Sequence, residues 1–322
     1  MGVKSGRHQK QAVSLKTGID FYRQSLIFAR EGLHREALTE VSQALQILPD
    51  LAPAWISRGF ALGKLGRYFE EIESCDRAIT LEPFSTEAWI AKGFAYGMLG
   101  EFDCKVACCN RALIIEPKNA TAWNNKGVAL GMLGKYHEEI VCCDRAITLR
   151  GRYLSAWVNK GFALNKLKRY HEALECFDRA LKIYPFYFSA LNSRARALIH
   201  LKQYPAALTC LEKVLSIRPD HAGSLYRMGL VLSALGRHEE AIAALKKALE
   251  RDPSIADAWV VMSNSCFALG RLEESASAFD KAYYIDIHDV RQGFVKALTQ
   301  LKSGKFDDAL HSFSEVFGIL LR

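Results

Sequence analysis

Five cysteines stand close together, Cys104, Cys108 and Cys109, then Cys142 and Cys143. Clustered thiolates are soft ligands that could hold zinc or copper. Three histidines, His137, His171 and His238, are each followed by glutamate, as in the opening of a helical zinc motif. Neither pattern completes a site. The histidines lack the second histidine four residues on that such a motif needs. Cys75, Cys109 and Cys143 share one register with Phe177, Leu211, Leu245 and Phe279, while Cys108, Cys142, Cys176 and Cys210 share the next with Ala244 and Ala278. Both sets read as packing residues of helix interfaces. The chain has no glycine-rich phosphate loop and no G-x-S-x-G elbow, and no Ser, Cys or His whose register calls for a base beside it. No catalysis, no metal and no cofactor is expected.

What positions these residues is a repeat of 34, carried by all five tryptophans: Trp55, Trp89, Trp123, Trp157 and, after Leu191 and Leu225 take the same place, Trp259. Four residues after each comes a small one (Gly59, Gly93, Gly127, Gly161, Ala195, Gly229, Ser263), and six later a leucine column runs unbroken from Leu65 to Leu269. A turn follows, with Gly66, Gly100, Gly134, Gly236 and Gly270 preceding Tyr68, Phe102, Tyr136 and their counterparts, and ends a first helix. A second helix then carries apolar residues such as Leu174, Phe177 and Leu181. Six of the eight prolines close it at one phase, because proline cannot donate the next helical hydrogen bond. Asp50, Ser85, Asn119, Asp220 and Ser254 are the expected N-caps of the units that follow.

This array of Trp, small residue, Leu, turn, Ala (Ala78, Ala112, Ala146, Ala180, Ala248, Ala282) and Pro resembles the tetratricopeptide repeat family over about residues 18–322. The resemblance implies an all-α fold, a right-handed superhelical α-solenoid of about nine helix–turn–helix units. They start near residues 18, 52, 86, 120, 154, 188, 222, 256 and 290. It also implies a non-catalytic scaffold or assembly factor that binds a protein or peptide partner in a concave groove lined by the first helices. Carried onto this sequence, the groove positions include Phe60, Phe94, Asn124, Phe162, Asn165, Asn192 and Arg196, with Asn125 and Asn159 one place on as peptide-clasping amides. The bland reading of both amides is a bond to solvent or a neighbouring helix. Burying Phe60, Phe94 and Phe162 contributes about 6 kcal/mol against about 2 to 5 for ordering a segment. Low-micromolar or weaker binding follows. The clamp for acidic C-termini found in some family members is incomplete, since Asp257 stands where a base is needed.

Charge adds two expectations. Residues 1–17 carry Lys4, Arg7, Lys10 and Lys16 without an acid and read as a disordered basic tail that accounts for half of the net charge of +8. The remainder is too mildly basic to favour nucleic acid. Within the repeats, Glu71, Lys105 and Glu139 occupy a helix-crossing position where Ala37, Ala173, Ala207 and Ala241 are small. Glu71 and Glu139 are expected either to pair with the basic column Arg58, Lys92, Lys126, Lys160 and Arg194 or to extend to water. No apolar run is long enough to span a membrane, and nine cysteines without an export signal suggest the cytoplasm. The last helix ends in Phe313, Val316, Phe317 and Leu320 with no polar cap, and homo-oligomerisation through that end is the alternative role, beside service as an enzyme's regulatory subunit.

Overall fold

The computed structural model of the chain describes residues 2–285 and the single positions 300, 303, 308 and 311, with the backbone alone for residues 2–14. No strand occurs among the described residues. The chain divides into two compact units, residues 1–169 and 170–322. The first holds α1 (Gly2–Arg30), α2 (His34–Ile47), α3 (Ala52–Lys64), α4 (Tyr68–Leu81), α5 (Thr86–Met98), α6 (Phe102–Ile115), α7 (Ala120–Met132), α8 (Tyr136–Leu149) and α9 (Leu154–Lys166). The second holds α10 (Tyr170–Ile183), α11 (Phe188–His200), α12 (Tyr204–Ile217), α13 (Ala222–Ala234), α14 (His238–Arg251) and α15 (Ala256–Ala268), followed by helical residues 272–285.

In the first unit each helix packs on the next, and the odd-numbered helices also touch one another in the series α1, α3, α5, α7, α9. The even-numbered helices make no contacts with each other among the described residues. The odd helices therefore form one continuous wall on the tighter side of the stack. In the second unit α11, α13 and α15 repeat this arrangement. The core between the layers is built from small residues at the helix crossings, among them Ala61, Cys75, Ala78, Ala95, Cys109 and Ala112, all essentially inaccessible. Burial pushes the thiols of Cys75 and Cys109 up to about 12 and that of Cys108 to about 11, so they pack as neutral groups.

The turns show why the sequence stops each first helix where it does. Gly66 has φ +76°, and the Arg67 N–H donates to the Leu62 carbonyl at 2.9 Å, closing the helix end in the left-handed conformation that glycine adopts without strain. In two turns without glycine, Lys168 (φ 59°) and Lys202 (φ 56°) take the same conformation. The tryptophan and proline phases prove to be one device. The indole N–H of Trp55 donates to the Pro49 carbonyl at 2.8 Å, Trp123 to Pro117 at 2.9 Å, Trp157 to Gly151 at 3.0 Å and Trp259 to Pro253 at 3.0 Å, so each ring ties a first helix to the loop before it.

Two expectations are corrected. The basic tail is helical, because α1 starts at Gly2; Gln9, Lys10, Gln11, Ala12 and Leu15 are good helix formers with no proline among them. Of the five expected N-caps, Ser85 and Asn119 accept hydrogen bonds from the N–H groups of Ala88 and Ala122. Asp50, Asp220 and Ser254 stand one residue too early, and the caps are Leu51, His221 and Ile255, of which the His221 ring accepts from the Ser224 N–H.

Candidate functional site

The wall formed by α1, α3, α5 and α7 carries a cavity of about 610 Å³. Its lining brings together three of the expected groove residues, Phe60, Phe94 and Asn125, with Ile56, Ile90 and, from α1, Ser25, Leu26, Ala29 and Arg30. Phe60 and Phe94 are 48% and 47% exposed, so half of each ring faces water although its register is set by a buried helix. The Lys64 ammonium lies 5.2 Å from the centre of the Phe60 ring. Asn125 is half-buried at the edge of the cavity.

Behind the wall the two layers exchange volume, and one such pair, Gly63 and Glu71, lines the cavity. Gly63, Gly97 and Gly131 on the odd helices carry no side chain, and Glu71, Lys105 and Glu139 fill the space from the even ones. A Cβ added at Gly63 or Gly131 would collide with a carboxyl group, and one at Gly97 with the Lys105 stem. Glu71 and Glu139 are only 3% and 6% exposed. Desolvation pushes both carboxyls up to about 7; for Glu71 the neighbouring Lys64 charge opposes the rise without cancelling it. Burial likewise holds the Lys105 ammonium below its ordinary range. Glu71 Oε2 is buried with no hydrogen-bond partner, and Glu71 and Gly63 both line the cavity.

The expected pairing of these glutamates with the basic column is overturned. Lys92 bonds Asp76 at 2.5 Å, Lys160 bonds Asp144 at 2.6 Å and Arg194 bonds Asp178 at 2.7 Å, each base reaching an aspartate of the helix before it. Asn110 stands at the position of the aspartate for Lys126, whose ammonium lies 5.5 Å from the centre of the Trp123 ring. Arg58 donates to Ser74 Oγ at 2.6 Å. The column is thus turned to other, partly exposed partners, and of the crossing carboxylates Glu71 lines the cavity.

The amides divide. Asn159 Nδ2 donates to Asn124 Oδ1 at 3.0 Å, and Asn124 is buried, so this pair links α9 to α7. The interhelical reading holds for Asn159. The second unit repeats the device: Arg227 Nη1 donates to Asn192 Oδ1 at 3.4 Å, and Ser224 Oγ donates to the same oxygen at 3.2 Å. Burial, and then the charge of Arg196, lowers the Arg227 pKa. Phe162 is half-buried and Asn165 buried on α9, and neither lines the cavity. Phe313, Val316, Phe317 and Leu320 lie outside the described residues. The sequence reading missed Arg30 and its neighbours on α1, because the first repeat lacks tryptophan and was left out of the groove. It also missed the accessibility of Glu71 to the wall. The signal was present: wherever the crossing residue is large and charged, the facing residue eight places earlier is glycine.

Among the described residues no helix is long and apolar enough to cross a membrane, and no three His, Cys, Asp or Glu side chains gather to hold a metal. The wall and the helix pairs behind it define a helical-repeat fold.

Tetratricopeptide repeat families match residues 108–140, 155–187, 186–254 and 226–290, and the chain belongs to the tetratricopeptide repeat proteins. Among solved structures it is similar to PilF of Pseudomonas aeruginosa, with 19% identity and a TM-score of 0.59 over 64% of this chain and 94% of that one. A tetratricopeptide repeat protein from Parabacteroides merdae shares 17% identity and a TM-score of 0.58 over 78% and 99% of the two chains. YrrB, described as a protein of this repeat class with an unusual peptide-binding site, shares 21% identity and a TM-score of 0.51 over 58% and 96%. These likenesses establish the fold. No curated protein sequence matches the chain.

Proposed function

We propose that the chain is a non-catalytic scaffold that holds a peptide segment of a partner protein in the cavity between α1, α3, α5 and α7. The observation that carries this reading is the half-exposure of Phe60 and Phe94 on facing helices around a void of about 610 Å³, large enough for several side chains. Covering the exposed halves of two such rings contributes roughly 1.5 to 3 kcal/mol before the cost of ordering the segment. YrrB's described peptide-binding site lends the same use of the fold as a precedent. None of the nine cysteines forms a disulfide, in keeping with a reducing, cytoplasmic setting.

The test is a crosslinking capture from native lysate with the wild-type chain and a Phe60→Ala, Phe94→Ala, Asn125→Ala variant matched for helicity. A defined set of proteins captured by the wild type and lost by the variant supports the groove. Identical capture by both refutes it. Capture of further copies of the chain alone would instead favour self-association through the C-terminal residues Phe313, Val316, Phe317 and Leu320.

A further inference from the structure

Resting on that groove reading, we propose that the segment it takes up presents a lysine or arginine flanked by apolar residues, with the cationic head against the Glu71 carboxylate. The geometry selects this chemistry in three ways. First, Glu71 is only 3% exposed and its Oε2 has no protein hydrogen-bond partner, so the cavity wall holds one buried acceptor that the protein leaves unsatisfied. Second, the missing side chain of Gly63 puts the carboxylate at the cavity wall; with any larger residue there the acid would be screened from a ligand. Third, the other charged groups around the cavity, Arg30 on α1, Lys64 on α3 and Glu87 on α5, are all exposed, and water serves them. An acidic segment would gain only solvated rim charges and would bring a second negative charge to Glu71. A basic one gains a charge-assisted hydrogen bond in a place of low dielectric, while its methylene stem lies on Phe60 and Phe94.

The free carboxyl titrates near 7 because burial outweighs the Lys64 charge, and Cys75, its neighbour on α4, is uncharged at that pH. A bound cation stabilises the ionised form, so affinity for a basic segment rises with pH through this range and falls below it.

The experiment uses the full chain and short fluorescein-labelled amphipathic peptides that are identical except for a central lysine, norleucine or glutamate, read by anisotropy above and below neutral pH. The lysine peptide is expected to bind about tenfold more tightly than the norleucine peptide at the higher pH. The preference should vanish in Glu71→Gln, which keeps the shape, and in Gly63→Ala, which keeps the charge but displaces it. Equal binding of lysine and norleucine peptides, both weakened by Phe60→Ala, overturns the cation assignment and leaves the groove standing. Tighter binding of the glutamate peptide also overturns it and hands recognition to Arg30 and Lys64. Failure of all three peptides removes the groove reading and this inference with it.

Discussion

The helix pairs α3–α4, α5–α6 and α7–α8 solve the helix crossing differently from α11–α12 and α13–α14. In the first set the odd helix gives up its side chain (Gly63, Gly97, Gly131) and the even helix supplies Glu71, Lys105 or Glu139; in the second the odd helix carries Ile199 or Ser233 and the even helix contributes Ala207 or Ala241. The summed volume is similar and the fold is the same. The chemistry offered to the wall is not, since one arrangement lets a buried charge reach the groove and the other seals the layer with alanine. A repeat can thus change what its wall presents by a paired exchange, glycine in front and a large charged residue behind.

The sharpest way to break the comparison is to mix the two solutions. Gly131→Ile forces a branched side chain onto the Glu139 carboxyl and is expected to destabilise by about 3 kcal/mol in urea unfolding. Adding Glu139→Ala, which copies the Ile199 and Ala207 arrangement, should restore most of it, a coupling of about 2 kcal/mol. Additive losses would show that the two positions do not exchange volume.

A second test uses pH. Glu71 and Glu139 titrate near 7 in the folded chain against an ordinary value of 4.5. A carboxyl whose folded pKa is raised contributes stability below its unfolded pKa and loses it as pH rises through the folded one. The Glu71→Gln, Glu139→Gln variant should therefore match the wild type near pH 5 and melt several degrees higher near pH 8. A constant difference between the two curves would place both carboxylates in water.

Smaller effects separate the turns. Lys202→Gly, at a backbone of φ 56°, should stabilise by about 1 kcal/mol in thermal unfolding, and Lys168→Gly by a similar amount. Asn110→Asp supplies Lys126 with the partner that Lys92 and Lys160 already have. It should add about 0.5 kcal/mol, a gain that fades with salt.

The family, the helix phases and the turn glycines were all legible, because a period repeated many times converts weak local signals into columns. Phe60, Phe94 and Asn125 were legible as wall residues for the same reason. What misled was chemistry that depends on the third dimension. Aspartate and glutamate both lie within reach of the basic column on paper. In space the column meets Asp76, Asp144 and Asp178 one unit back, and Glu71 and Glu139 turn inward. Asn159 looked like a ligand clasp until its partner Asn124, 35 residues earlier, came within 3.0 Å. Three of the five caps failed through a shift of one residue, because the capping places are held by Leu51 and Ile255, which have no polar side chain to signal them, and by His221.

The bonds between each indole and the loop before it give the chain an optical consequence. Four of the five tryptophans, Trp55, Trp89, Trp123 and Trp157, lie in the first compact unit, and Trp259 alone lies in the second, where Leu191 and Leu225 are silent. Intrinsic fluorescence is therefore a reporter of the first unit's joints, whereas circular dichroism counts helices in both. Replacing Trp259 with leucine leaves emission from the first unit only. A melt followed by the two signals in that variant then times the loosening of the groove-bearing half against the unwinding of the whole chain, with no label attached.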